Sequence, residues 1–347
     1  EDSSNWISPH RNDDNRWLTN YGAALYIEDA ENVTVRRTVV RRSQNGIILD
    51  AVNNSRVYDN DASFLSGWGL ALWRSSNNLI SRNAFDFCVR GHVEGVYNRG
   101  QDSAGILFFE QCNENIVVEN STTHGGDGFF GFAGLDALGD AEYAVNDYDR
   151  TRVGVNDNVF VYNDMSYAPA HGWEMTFSFG NVVANNRLVG NSICGVWGGF
   201  SQETDIIDNL FETNGGMPYG LERGGVNIEH GRDLLIAHNR FINNRVGVHL
   251  WHDAPGAIAT IGWGRANYTD NALDNNLVIS NLFAVNDDPK NFHRLGDQEQ
   301  FAFVQLRGTP DRVRNTVIAG NDLRIETDRG ADLLTENGIQ ALDALTD

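Results

Sequence analysis

The feature that most constrains this chain is an asparagine that recurs just ahead of a short hydrophobic segment. It appears in DNDASF, RNAFDF, ENSTTH, NDMSYA, NNRLVG, DNLFET, HNRFIN, SNLFAV and GNDLRI, as Asn60, Asn83, Asn120, Asn163, Asn186, Asn209, Asn239, Asn281 and Asn321. Three of the intervals are 23 residues, and the longer ones leave room for insertions into a 23-residue unit. A period of that length built from β-rich pieces means a solenoid. Amides at equivalent turns can stack as a hydrogen-bonded ladder along its axis.

A second column is glycine: Gly22, Gly46, Gly69, Gly105, Gly128, Gly172, Gly195, Gly225 and Gly247, with Ala302 expected as the tenth member. A strand-like run follows each, such as IILDA, LALWR, WEMTF, VHLWH and FVQLR. Glycine at a strand entry lets the backbone pass where a Cβ would clash. The two columns predict an all-β fold, a single-stranded right-handed parallel β-helix of about ten turns over 22–328. An N-terminal cap or extension (1–21) and a C-terminal helical cap (329–347) complete the expected organisation. One elongated domain then accounts for 347 residues, a length at which two globular domains would otherwise be expected.

The cadence of GVNIEHGRDLLIAHNRFINN, repeated over roughly 20–325, resembles the NosD-like, carbohydrate-binding-and-sugar-hydrolysis group of β-helix proteins. That architecture includes polysaccharide lyases, glycoside hydrolases, sugar epimerases and phage tailspikes. The resemblance therefore implies a fold and a glycan context, while the activity must come from the site.

Composition narrows the partners. The net charge is −21, and Lys290 is the only lysine among 26 basic residues. Such a surface repels phosphates, so no nucleic-acid partner is expected. No apolar run is long enough to span a membrane. The acidic, lysine-poor balance suits either a high-salt habitat or a GC-rich genome. With neither a starting Met nor a signal peptide, the sequence reads as a mature or trimmed product, and a secreted or cell-surface location is expected. Cys88, Cys112 and Cys194 have no metal-finger or CxxC spacing and read as buried free thiols.

Strand parity then separates core from surface. One and three residues after the glycines lie Ile47/Leu49, Leu70/Leu72, Trp173/Met175, Val226/Ile228 and Val248/Leu250, an apolar set that must point inward. Two residues after, the outward column reads Ile48, Ala71, Leu107, Phe130, Glu174, Trp197, Asn227, His249. Four after, it reads Asp50, Trp73, Phe109, Phe132, Thr176, Gly199, Glu229, Trp251. One face thus changes from apolar to polar halfway along. Long insertions border it, among them CVRGHVEGVYNRGQD, GLDALGDAEYAVNDYDRTRVG, GGMPYGLERG and DAPGAIATIGWGRANYTDNA, and they are expected to wall a cleft.

Glu174 and Glu229 form the expected acid/base pair for glycosidic cleavage, their Cα atoms on the order of 12 Å apart. His171 and Asp127 precede the glycine on consecutive turns and should be neighbours, either as an oriented imidazole or as a corner bond. His249 completes the expected catalytic set. Trp197, Trp251 and Trp73 are candidates for stacking on sugar rings. Phe109, Phe130 and Phe132 read instead as packing beneath a covering segment. Asn227, His230, His252, Arg307 and Asp102 are further candidate substrate contacts. The grouping of Glu229, His230, His249 and His252 has no metal-site spacing, so no metal is assigned, although a calcium site in the Asp-rich loops stays open. Hydrolysis is the first expected activity. β-Elimination or C5-epimerisation of a uronate, with a His base and Arg90, Arg99, Arg223 or Arg307 as neutraliser, is the second. A non-catalytic glycan binder or fibre component is the third.

Overall fold

The computed structural model describes residues 16–90, 103–132, 154–252, 272–286, 302–309 and 311–326. The expected C-terminal helical cap, the insertion around Arg99 and Asp102, and two of the long walls lie outside these residues.

Two ten-stranded parallel sheets run the length of the molecule. The first begins with Ala23–Glu31, passes through His171–Thr176 and ends with Ala302–Arg307; the second runs from Thr34–Arg36 to Val317–Ala319. A third, narrower sheet runs from Arg187–Val189 to Asp322–Glu326. Parallel bridges linking Asp61, Ala84, Ser121, Asp164 and Arg187 extend it back toward the first turns. This is the expected parallel β-helix of about ten turns, whose strands pair only with equivalent strands of neighbouring turns.

The asparagine column forms the ladder that its spacing predicts. Each amide passes a hydrogen bond to the next, from Asn60 Nδ2 to Asn83 Oδ1 (2.9 Å) through to Asn281 Nδ2 to Asn321 Oδ1 (3.1 Å). The same Oδ1 accepts a backbone N–H from the preceding turn, as Asn209 does from Asn186. The amide nitrogen also reaches a main-chain carbonyl, as Asn186 reaches Phe160. Buried amides are tolerated here because their polar atoms are paired. A shorter ladder, Asn191–Asn214–Asn244, stands at another corner.

The glycine column has a steric cause. A Cβ on Gly172 would lie 2.7 Å from the carbonyl oxygen of Gly195, and one on Gly195 would lie 2.7 Å from that of Gly225. The ends of the column differ from the sequence expectation. Register pairs Val248 with Val304, which sets Phe303, not Ala302, opposite Gly247. Among the described residues Phe303 lies on the last strand of its sheet, with no further described turn presenting a carbonyl to its Cβ. At the other end Leu25 pairs with Ile47, so Ala24 rather than Gly22 aligns with Gly46. The corrected register adds Gln305 and Arg307 to the two outward columns, after His249 and Trp251.

Inside, the predicted apolar set forms one continuous core that includes Ile47, Leu72, Trp173, Met175, Val226 and Leu250. The apolar half of the outer face is covered as well. The helix Arg16–Asn20 lays Trp17 over it, with ring centroids 5.3 Å from Trp68 and 5.9 Å from Phe109. Phe109 and Phe130 are buried in this second cluster and Phe132 packs against it, as the covered-packing reading expected. Trp73 belongs there too. It is buried, and its Nε1 donates to Glu110 Oε2 at 3.1 Å, so it is a packing residue and not a sugar platform.

Candidate functional site

On the polar half of the first sheet, Phe130, Glu174, Trp197, Asn227, His249 and Gln305 are successive cross-strand partners. Thr176, Gly199, Glu229, Trp251 and Arg307 form the parallel line beside them. The continuous row read from strand parity therefore exists.

Its charged centre is His171. The backbone N–H of His171 donates to Asp127 Oδ1 at 2.9 Å, and its ring Nδ1 lies 3.2 Å from the same oxygen. Nδ1 also lies 2.9 Å from Glu174 Oε2, and Nε2 faces Glu222 Oε2 at 3.4 Å. Asp127 thus serves as a corner bond and as an orienter of the imidazole together. The ring lies against Trp197, with centroids 5.8 Å apart and planes 27° from parallel. Burial alone would push this imidazole down, but Glu174, Asp127 and Glu222 outweigh burial and hold His171 well above the usual histidine range.

Glu222 was not singled out in the sequence. It sits in GGMPYGLERG, the insertion expected to wall the cleft, and a hairpin contact between Tyr219 and Glu222 shapes that segment. The available signal was a carboxylate beside Arg223 in a loop already assigned to the cleft border.

The other predicted residues fall into separate groups. Glu229 is one strand beyond Trp197 and contacts His230 Nε2 at 3.3 Å. His230 stacks on Phe200 (4.6 Å), and His252 meets it edge-on. Asn227, His249, Trp251, His230 and His252 are all buried, whereas Trp197 is partly exposed and Arg307 is exposed. With its amide oriented so that Oδ1 accepts from Trp251 Nε1 (3.1 Å), Asn227 places Nδ2 2.8 Å from His249 Nδ1 and 3.0 Å from Leu221 O. Burial, with Arg223 and Arg307 nearby, drives His249 down to about 3, so its ring is neutral. His124 lies apart, stacked between Phe87 and Tyr167 at a surface corner.

Donor atoms of Asp127, His171 and Glu174 lie within 4.8 Å of one another, close enough to grip a metal ion. The grouping weighed in the sequence, Glu229 with His230, His249 and His252, does not converge in this way, because His249 Nδ1 turns to Asn227 and Leu221. Cys88, Cys112 and Cys194 are free and buried. Among the described residues, no helix is long and apolar enough to cross a membrane.

Comparison with known proteins gives two family models. One, described as periplasmic copper-binding protein (NosD), matches residues 6–123, and one described as right handed beta helix region matches 103–260. Copper does not fit the described part of the first stretch. Its described residues contain no His or Met, and the two cysteines are buried, with burial pushing the Cys112 thiol up to about 12. No curated protein matches the chain. Among solved structures, it is similar to DFA-IIIase from Arthrobacter chlorophenolicus A6 in complex with GF2, with a TM-score of 0.42 and 10% identity over 73% of this chain and 54% of that one. It is also similar to the A-module of mannuronan C-5 epimerase AlgE6 of Azotobacter vinelandii, with a TM-score of 0.42 and 14% identity over 86% of this chain and 64% of that one. The chain thus spans less than two thirds of these solved chains. The sheet topology and the second family model together identify this chain as a right-handed parallel β-helix.

Proposed function

We propose that the polar half of the first sheet is the cleft of an extracytoplasmic carbohydrate-active enzyme that hydrolyses a glycosidic bond. The observation that carries this reading is the His171 cluster. An imidazole held on Nδ1 by Glu174 (2.9 Å) and Asp127 (3.2 Å) faces a second glutamate with Nε2 (3.4 Å), beside the partly exposed Trp197. The fold does not need it, since earlier turns carry Ala71, Leu107 and Phe130 at the position of Glu174. Grouping charges at such a site costs desolvation, and function is the usual reason to keep them.

Hydrolysis requires a proton for the leaving oxygen and a base for the attacking water. His171 Nε2–H supplies the proton as the bond from the anomeric carbon to that oxygen breaks. Glu222 takes a proton from the water whose oxygen forms the new bond, then returns it to Nε2 across their 3.4 Å contact. Glu174 and Asp127 are positioning residues, which keep the ring charged and aimed. This assigns Glu222 the role that spacing had suggested for Glu229, because Glu229 lies beyond Trp197 against His230. An elimination reaction with His171 as base is less suited to a ring whose acidic neighbours favour its protonated form.

The test is Glu174→Gln on a glycan panel with product analysis. Turnover should fall about 100-fold or more while binding persists. The alkaline fall in wild-type activity should move to lower pH, because the ring loses its strongest anionic neighbour. New reducing ends mark hydrolysis, and an ultraviolet-absorbing unsaturated uronate marks elimination. Near-wild-type turnover with an unchanged pH profile sinks the assignment.

A further inference from the structure

Beside the carboxylate cluster lies a group of opposite sign. Arg223 follows Glu222 directly but turns the other way, and its side chain is buried to about the extent of a core residue, with 7% exposed. Its only hydrogen bonds among the described residues go to main-chain carbonyls: Nη2 donates to Gly220 O at 2.8 Å, and Nε to Leu221 O at 3.4 Å. The other guanidinium hydrogens have no protein acceptor among the described residues. Among the described residues, no carboxylate lies within ion-pair distance of Arg223, the nearby Glu222 and Glu229 being turned to histidines. Its charged neighbours are cations instead, namely Arg245 and Arg307, which together with burial push the guanidinium down from its ordinary range.

A buried guanidinium whose charged neighbours are cations is costly unless something anionic completes the group. The neighbouring imidazole supports this. His249 is fully buried and neutral, with Nδ1 accepting from the Asn227 amide, while its Nε2 has no hydrogen-bond partner among the described residues. With Asn227 donating to Nδ1, Nε2 carries the ring hydrogen, a buried donor without an acceptor among the described residues. Arg307, exposed at the end of the neighbouring outward column, marks where the group meets solvent.

From these residues we infer that Arg223, His249 and Arg307 form an anion subsite, which takes a carboxylate or sulfate ester carried by a sugar ring. The inference rests on the reading that this cleft receives a glycan, and it makes that glycan acidic. The cleft is then bipolar, with carboxylates around His171 at one end, guanidiniums around His249 at the other, and Trp197 and Asn227 between. An acidic sugar is drawn to one end only, despite a strongly negative surface overall.

The test titrates D-glucuronate, glucose 6-sulfate and glucose against the intact protein and against Arg223→Gln, Arg223→Lys and Arg307→Gln. At least one acidic sugar should bind about tenfold or more tightly than glucose. That preference should vanish in Arg223→Gln, persist in part in Arg223→Lys, and shrink in Arg307→Gln, which lies at the surface and does not threaten the fold. Whichever acidic sugar is preferred identifies the group as carboxylate or sulfate. Equal binding of all three sugars, or a preference that survives in a folded Arg223→Gln and in Arg307→Gln alike, overturns the subsite. Glu174→Gln separates the two proposals. Acidic-sugar preference kept in that variant supports the subsite, whatever happens to hydrolysis.

Discussion

The two halves of one β-sheet face carry the main lesson of this molecule. Turns with Ile48, Ala71, Leu107 and Phe130 and turns with Glu174, Trp197, Asn227 and His249 share one backbone, one parity and one continuous register. The first half is sealed by Trp17, Tyr21 and Trp68 and behaves as a second core. The second half gathers three carboxyl groups around one imidazole and sets two guanidiniums, Arg223 and Arg307, near another. A solenoid turn tolerates either because its stability comes from the inward side chains and the ladders. The outward residues are therefore free to be spent on a cap in one place and on chemistry in another.

If the sealed half is only structure, Trp17→Ala should cost about 3–5 kcal/mol of stability, since a fully buried indole leaves a cavity against Trp68 and Phe109. Denaturant unfolding would measure this, and glycan binding by the remaining folded fraction should be unchanged. A loss of binding without a loss of stability would erase the distinction between the halves.

The polar half should show its character in pH. His171 is raised in the folded state, so its contribution is fully present below about 6.5 and is lost as pH rises through the folded value. His249 is lowered to about 3, so its neutral burial costs stability as pH falls from about 6.5 toward that value. Stability should therefore peak between these limbs, each displaced unit being worth about 1.4 kcal/mol before solvent relaxation reduces it. Thermal melts of His171→Asn should lose the alkaline limb and those of His249→Asn the acid limb. Limbs that persist in both variants would place the pH dependence elsewhere.

The smallest effect is expected at Trp197. Its side chain is partly exposed and caps the His171 ring, so Trp197→Ala should change stability by about 1 kcal/mol or less. Glycan affinity should nonetheless drop by about tenfold, as for a lost ring platform. Unchanged affinity in a titration would remove Trp197 from the cleft floor.

The residues themselves show how far the sequence reached. Asn60 to Asn321 and the glycines needed no structure to be placed, because a ladder amide and a close-packed carbonyl each demand one residue type at every turn. Parity likewise put Glu174, Trp197, Asn227 and His249 in one row. Trp73 was misread because its outward direction is fixed locally, whereas the Glu110 carboxylate that holds its Nε1 comes from a distant stretch. Glu222 was missed because it lies in an irregular loop, where no period relates sequence position to direction. The opposite shifts of His171 and His249 were equally invisible, since they depend on which charged side chains close over each ring. The sequence by itself determined the solenoid, its repeat and the face on which unusual residues accumulate, because each is enforced by backbone contacts repeated every turn. Only the tertiary structure decided which of those residues are sealed and which meet, because a loop crossing between turns brought Glu222 to His171 and Arg223 toward His249.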